Sequence, residues 1–307
     1  MNHPLPSVSY LAIEQLLLSR LQVALDLYVL DDLVLKTQQE RHIPLHRAKD
    51  DNRVLYVSGI ALQLSGTMNI PPLEIATALS SKLVVDVADL VCRTESRPGV
   101  ALSQDFTVQV VPPGWIHLEL TDPAIAAWLQ CLLPPHLPTS LPPHHPTTPP
   151  PLSDSSRLFA VQYAHARCCS LVRLAHCEGL IMLKEPEPDN SPKVFLAVAP
   201  NPIPWLNCDQ KLRFSHPAER ALIAQLVGVV DNFYYPCPSR QTVDWEKAAL
   251  NLSQAFQTFY SCCRIWGEVK IQTPHLVQAR LGLIIITQAV LRLLLQDMFG
   301  VWAPLEL

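Results

Sequence analysis

Residues 134–152 read PPHLPTSLPPHHPTTPPPL. Nine of these positions are proline, and none is charged or glycine. Proline lacks a backbone N–H and fixes φ, so such a run can neither continue a helix nor sit in a central strand. It reads as a semi-rigid spacer, ~59 Å long if fully extended at ~3.1 Å per residue. Its His136, His144 and His145 read as solvated linker residues. The spacer divides the 307 residues into domains at 1–133 and 153–307, joined by 134–152.

The first segment predicts an α+β domain. Apolar residues recur at helical intervals over 8–30, and further helices are expected over 54–66 and 71–83, with Asn69-Ile70-Pro71-Pro72 as the start signal between them. FTVQVV (106–111) and WIHLEL (115–120) alternate around Pro112-Pro113-Gly114 and predict a hairpin. Thr121 and Pro123 then open a helix over 122–133.

The second segment predicts an all-α bundle. Helices are expected over 156–178 with Gly179 at the stop, over 216–233, over 242–266 with Thr242 as cap and Gly267 as stop, and over 274–299. The last has Thr273 as cap, Pro274 at its first position and Gly300 at its end. Between the first two, LIMLK and KVFLAV flank an acidic turn and are expected to pair.

Nine glycines stand where average usage predicts ~21, and 29 prolines where it predicts ~15. No two glycines are two apart, so a G-x-G-x-x-G loop is absent; so are a Walker phosphate cradle and a G-x-S-x-G elbow. Hydrophobic residues make up 49% and charged ones 16%, a composition that supports a folded core. The net charge of −4 gives no global basic field, and no DNA partner is expected. Residues 1–133 carry 9 Lys+Arg and 14 Asp+Glu, a net of −5; residues 153–307 carry 14 and 13, a net of +1. A polyanion-binding surface is therefore a local patch, expected in the second half. Nine cysteines without framework spacing, and no signal-peptide pattern, predict free thiols in a reducing compartment and a cytoplasmic location. Thr287, Gln288 and Arg292 interrupt the most apolar run, so no membrane helix is expected.

Metal and nucleophile signals are weak. There is no C-x-x-C and no H-E-x-x-H. His165, Cys169 and His176 share a helix face, but core thiols beside a polar histidine is the favoured reading, so no metal and no cofactor is expected. Pro44 argues against a helix aligning His42 with His46. A Cys–His nucleophile stays open, against cysteines in apolar helical contexts that favour inert packing.

Two helices carry unusual combinations. One is Gln162-Tyr163-Ala164-His165-Ala166-Arg167; the other is Phe256-x-x-Phe259-Tyr260-x-x-Cys263-Arg264. Aromatic rings stack on unstacked RNA bases, guanidinium groups stack or grip phosphate, and amides bond base edges. The alternative is that Tyr163, Phe256 and Phe259 are core and the arginines solvated or paired.

FAVQYAHARCCSLVRLA (159–175) resembles the opening helix of the anticodon-binding domain of arginyl-tRNA synthetase, the DALR-type helical domain. AFQTFYSCCRI (255–265), ARLGL (279–283) and Gly300-Val301-Trp302-Ala303-Pro304 resemble its later segments, in the right order. IALQLSGTMNIPPLEIATALSSKL (60–83) and PGWIHLELTDPAIAAWL (113–129) are similar to the synthetase's additional N-terminal domain. The chain departs from the pattern in three places. It has no Asp-Ala-Leu-Arg signature, it has His117 where the family strand has Asn, and it reads Ala303-Pro304-Leu305-Glu306-Leu307 where the family has Ala-Pro-Glu-x-Met.

The resemblance implies an α+β N-terminal domain followed by a helical bundle of the class I synthetase anticodon-binding type. It also implies tRNA as partner, with arginine tRNA favoured. In the synthetase a catalytic domain lies between these two parts; here the Pro-rich run occupies that position. Neither a His-x-Gly-His nor a Lys-Met-Ser-Lys motif occurs, so a non-catalytic tRNA-binding protein is expected rather than an arginine–tRNA ligase. A protein–protein adaptor for a synthetase or a tRNA-modifying enzyme is the alternative. The residues implied to contact RNA are Gln162, Tyr163, Arg167, Phe259, Tyr260, Arg264 and Trp302, with His165 orienting its neighbours, and Trp115 and Asn69 at the tRNA elbow.

Overall fold

The computed structural model describes residues 11–31, 42–50, 52–84, 106–134, 136–138, 140–141, 155–184, 195, 197–235 and 243–307. They fall into two compact units, Met1–Ala124 and Ile125–Leu307. The first is α+β and the second mostly helical.

In the first unit, helix α1 spans Ile13–Asp31; residues 8–10 of the predicted helix lie outside the described residues. Strands β1 (Leu45–Arg47) and β2 (Leu55–Ser58) precede helices α2 (Ile60–Met68) and α3 (Pro72–Val84). The predicted hairpin forms as β3 (Phe106–Val111) and β4 (Trp115–Leu120), with Val111 opposite Trp115. The sheet is antiparallel throughout, in the order β1-β2-β4-β3. Because side chains alternate across a strand, Tyr56, Ser58, Ile116 and Leu118 share one face and are buried. That face joins a core with Ile13, Leu17, Leu21, Ile60, Leu64, Ile75 and Leu79. Trp115, His117 and Glu119 lie on the other face, half-buried.

Residues 55–58, predicted as the start of a helix over 54–66, are strand β2. A short apolar run fits either period, and this one is decided by pairing with distant β4, which no local pattern reveals. The helix begins only after Gly59, at Ile60.

Helix α4 (Asp122–Leu132) crosses the division between the units. Gln130 on it is bonded within the second unit: its Oε1 accepts from the Ile203 N–H at 3.1 Å and from Trp205 Nε1 at 3.0 Å. The described part of the Pro-rich run also belongs to this unit. Leu137 is buried, and the Leu141 N–H donates to the Asp297 carboxylate at 2.7 Å. The start of the expected spacer is therefore packed rather than free, because leucines between the prolines can be buried and a carboxylate satisfies the exposed N–H. His144 and His145 lie outside the described residues.

The bundle comprises α5 (Ser155–Cys177), α6 (Pro217–Tyr234), α7 (Trp245–Cys262), the short α8 (Val269–Gln272) and α9 (Pro274–Leu293), which continues as a π-helical turn over Leu294–Met298. The expected pairing between α5 and α6 is a small antiparallel ladder of β5 (Met182–Leu183) and β6 (Ala197–Ala199). His216 caps α6 in a capping box with Glu219. Asp244 caps α7, through Oδ1 to the Lys247 N–H; the predicted Thr242 lies outside the described residues. That helix stops at Cys262, short of Gly267. Thr273 precedes α9 but does not cap it by its side chain; its hydroxyl donates to the Val269 carbonyl.

Helix α9 is the axis of the bundle, buried almost without a break from Val277 to Leu295. By length and composition Pro274–Met298 could cross a membrane, but 89% of its most apolar window is buried inside the fold. Gly282 lets Trp205 lie directly on α9, since a Cβ there would collide with the indole.

Candidate nucleic-acid interface

Helix α5 buries mostly small residues. Val161, Ala164, Cys168, Leu171, Val172 and Ala175 follow one another at helical spacing and are buried, and the helix packs against α9 and α7. The large rings fall off this stripe. Phe159 is 56% exposed and Tyr163 47%, and the two stack at 6.3 Å between centroids. Arg167 continues the same i, i+4 ridge. Its Nη2 donates to Tyr260 Oη at 2.7 Å, and its Cζ lies 4.9 Å from the Tyr260 ring centroid. Half-buried Tyr260 in turn stacks on Phe256 in α7. Arg264, just past the end of α7, is exposed, and its carbonyl accepts a hydrogen bond from Arg280 Nη1.

That last bond belongs to a buried ion pair. Arg280 Nε donates to Glu219 Oε1 at 2.7 Å, with Glu219 fully buried. The other Glu219 oxygen accepts from the His216 N–H. One carboxylate thus caps α6 and holds the guanidinium that fixes the Arg264 backbone.

The segment after α9 lies along α5. Gln162 Nε2 donates to the Trp302 carbonyl at 3.0 Å, and His165 Nδ1 to the Pro304 carbonyl at 2.8 Å. Arg173 Nη2 donates to the Leu305 carbonyl and pairs with Glu306, both at 3.1 Å. Since a carbonyl only accepts, His165 carries its proton on Nδ1, and Nε2 accepts from Gln288 Nε2 at 2.8 Å. Burial holds the imidazole neutral, with its pKa pushed down from 6.5 to about 4. Ala303 and Pro304 are buried while the Trp302 indole is 72% exposed.

Of the residues expected from sequence, the structure brings Tyr163, Arg167, Tyr260 and Trp302 to partly or largely exposed positions on α5, α7 and the segment held against α5, with Arg264 exposed at the end of α7. Phe259 is corrected: at 0% exposure its ring has no face free for a base, because position 259 falls on the buried stripe of α7. His165 is buried and serves α9 and the tail rather than a ligand. In the first unit, Asn69 is exposed in a left-handed conformation at the end of α2. Trp115 packs over Gly59, where a Cβ would sit 2.9 Å from the indole, and makes an edge contact with His46. Phe159, Arg173 and Gln288 were not singled out from sequence. Phe159 had a signal in its four-residue spacing from Tyr163; Gln288 had none, since its role depends on α9 meeting α5.

The structure bears on the open Cys–His reading at one pair, Cys169 and His165. Cys169 Sγ lies 3.8 Å from His165 Nδ1, but burial pushes the thiol up to about 12 and the imidazole down. Both shifts oppose the thiolate–imidazolium pair that a nucleophile requires. Among the described residues, no group of three His, Cys, Asp or Glu is placed to hold a metal.

Residues 161–307 match the model of the DALR anticodon binding domain. Similar curated proteins include the arginine–tRNA ligase of Synechococcus sp. (strain JA-3-3Ab), 32% identical over 144 residues, which cover 47% of this chain and 21% of that protein. That of Gloeobacter violaceus is 30% identical over 135 residues, covering 44% and 20%, and that of Acetivibrio thermocellus 31% over 152 residues, covering 50% and 22%. The chain thus spans about a fifth of the length of these relatives, and they match its C-terminal half. No solved structure matches significantly.

Proposed function

We propose that this chain, whose residues 161–307 are a DALR anticodon-binding domain, is a non-catalytic, cytoplasmic tRNA-binding protein that favours an arginine tRNA. The observation that carries this reading is the set of exposed rings at Phe159, Tyr163 and Trp302, with the guanidinium groups of Arg167 on α5 and Arg264 just past α7. Soluble domains rarely leave large apolar groups together in water without a partner. Tyr163 and Trp302 stack on anticodon-loop bases, and Arg167 and Arg264 contact phosphate or stack, with Tyr260 steadying Arg167. Asn69 and Trp115 face the tRNA elbow. We propose an N-terminal α+β part and a C-terminal anticodon-binding part, expected at 1–133 and 153–307, with the end of α4 and the start of the 134–152 connection packed into the second.

The non-catalytic reading is supported by the relatives matching only the anticodon-binding half, and by the absence of His-x-Gly-His and Lys-Met-Ser-Lys motifs. An adaptor role toward a synthetase or a tRNA-modifying enzyme is the second reading, favoured by the net −5 of residues 1–133, which suits a protein surface better than RNA. The test is binding of an arginine-tRNA transcript and of a mismatched tRNA at two salt concentrations. Tighter binding of the arginine tRNA, weakening steeply with salt, is expected; no binding at low salt overturns the proposal. Arginine-dependent ATP–pyrophosphate exchange is expected to stay at background.

A further inference from the structure

We infer that Gln162, His165 and Arg173 form a clamp on α5 whose task is to hold residues 302–306 so that the Trp302 indole stands out into solvent, making Gln162 a positioning residue rather than a reader of base edges. This rests on the RNA-binding reading above.

The tail runs along α5 without a strand partner, so its carbonyls need donors. Three are supplied from one helix. Gln162 takes the carbonyl of residue 302, His165 that of 304 and Arg173 that of 305. Tail and helix positions increase together, so the contacts form an ordered ladder. The tail is also pinned at its start, where the Val301 N–H donates to the Leu295 carbonyl, and in its middle by the burial of Ala303 and Pro304.

A segment held at both ends and bonded three times to one helix would be expected to bury its largest apolar side chain. It does the opposite: Ala303 goes in and Trp302 stays 72% exposed. The amide that bonds the Trp302 carbonyl belongs to the residue just before Tyr163, itself exposed and stacked on exposed Phe159. The clamp therefore presets the backbone that carries the indole, bonded at the residue next to Tyr163, and ordering such a ring before binding spares the entropy of fixing it on contact. The contact that the structure gives Gln162 is this one to the tail; it uses one of the two Nε2 hydrogens, and the double-mutant cycle below decides between positioning and direct base contact.

The experiment uses the full chain and two half-exposed clamp positions, Q162A and R173A, which leave the buried His165 intact. Binding of the anticodon stem-loop of an arginine tRNA is measured in a double-mutant cycle with W302A. W302A is expected to weaken binding about tenfold, as loss of one stacked base does. Q162A is expected to weaken it severalfold in the parent chain and by less than about twofold in W302A, because its effect passes through the indole. An undiminished Q162A effect in the W302A background overturns the clamp and restores Gln162 as a direct contact. In parallel, 5-fluorotryptophan 19F NMR, with W302F to assign the resonance, reads the tail without RNA. Q162A and R173A are expected to narrow the Trp302 signal and shift it toward its position in the unfolded chain, as the released tail samples many conformations. An unchanged signal in both variants overturns the clamp. Absence of stem-loop binding by the parent chain overturns the RNA reading alone, and the 19F result still decides the clamp.

Discussion

Helices α5 and α7 both carry rings and amides, with arginines on α5 and just past the end of α7, yet place their rings oppositely. In α7, Trp245, Ala249, Leu252, Phe256 and Phe259 recur every three or four residues, so the rings at 256 and 259 fall on the one apolar stripe and are buried. In α5 that stripe is made mostly of Val, Ala and Cys, with Leu171 its one larger member, and Phe159 and Tyr163 stand outside it. An aromatic residue in a helix is core when its position continues the stripe; it is available for recognition when small residues already complete the stripe without it. Cysteine in α5 serves as a small apolar filler, which its raised thiol values reflect.

The largest way to break this comparison is truncation. F259A is expected to lower stability by about 3–5 kcal/mol, the usual cost of emptying a buried aromatic site, whereas Y163A changes it by less than about 0.5 kcal/mol. Urea unfolding reads both, and equal costs would erase the distinction. The ion pair behind α7 is of comparable weight. E219Q leaves the Arg280 charge buried with its partner weakened, and a loss of about 3 kcal/mol or more is expected in the same assay.

His165 sharpens the comparison through pH. Its folded value of about 4 lies below the unfolded 6.5, so between these the unfolded chain binds the extra proton. Stability is expected to fall as pH drops from 6.5 toward 4, by up to about 3 kcal/mol from this residue alone, and to level off below. H165N, which does not titrate, should flatten the profile over that window when unfolding is followed at several pH values. An unaltered slope would contradict the buried, neutral imidazole.

Much of this was legible in the chain. The β3–β4 hairpin followed from alternation around Pro112–Gly114, and the helix bounds near Pro217, Pro274 and Gly179 from caps and stops. The burial of Phe259 was legible too, had the 245–259 stripe been counted. Strands β1 and β2 were not, since three- and four-residue strands are decided by distant partners. Nor was the tail clamp: Gln162, His165, Arg173 and Gln288 signal nothing until α5, α9 and the tail meet.

The smallest effect expected lies at the cations. R167A and R264A should each weaken stem-loop binding and reduce the salt slope by a little under one, as loss of a single phosphate contact does. Titration at several salt concentrations reads this, and unchanged slopes in both would confine the interface to stacking.

The central claim is that the rings left outside the α5 stripe are a nucleic-acid surface. It is tested most directly by the affinity of the full chain for an arginine-tRNA anticodon stem-loop, compared with that of the Y163A/W302A double variant in the same low-salt buffer. A loss of at least about tenfold is predicted, with the unfolding transition unmoved. Equal affinity of the two chains would contradict it.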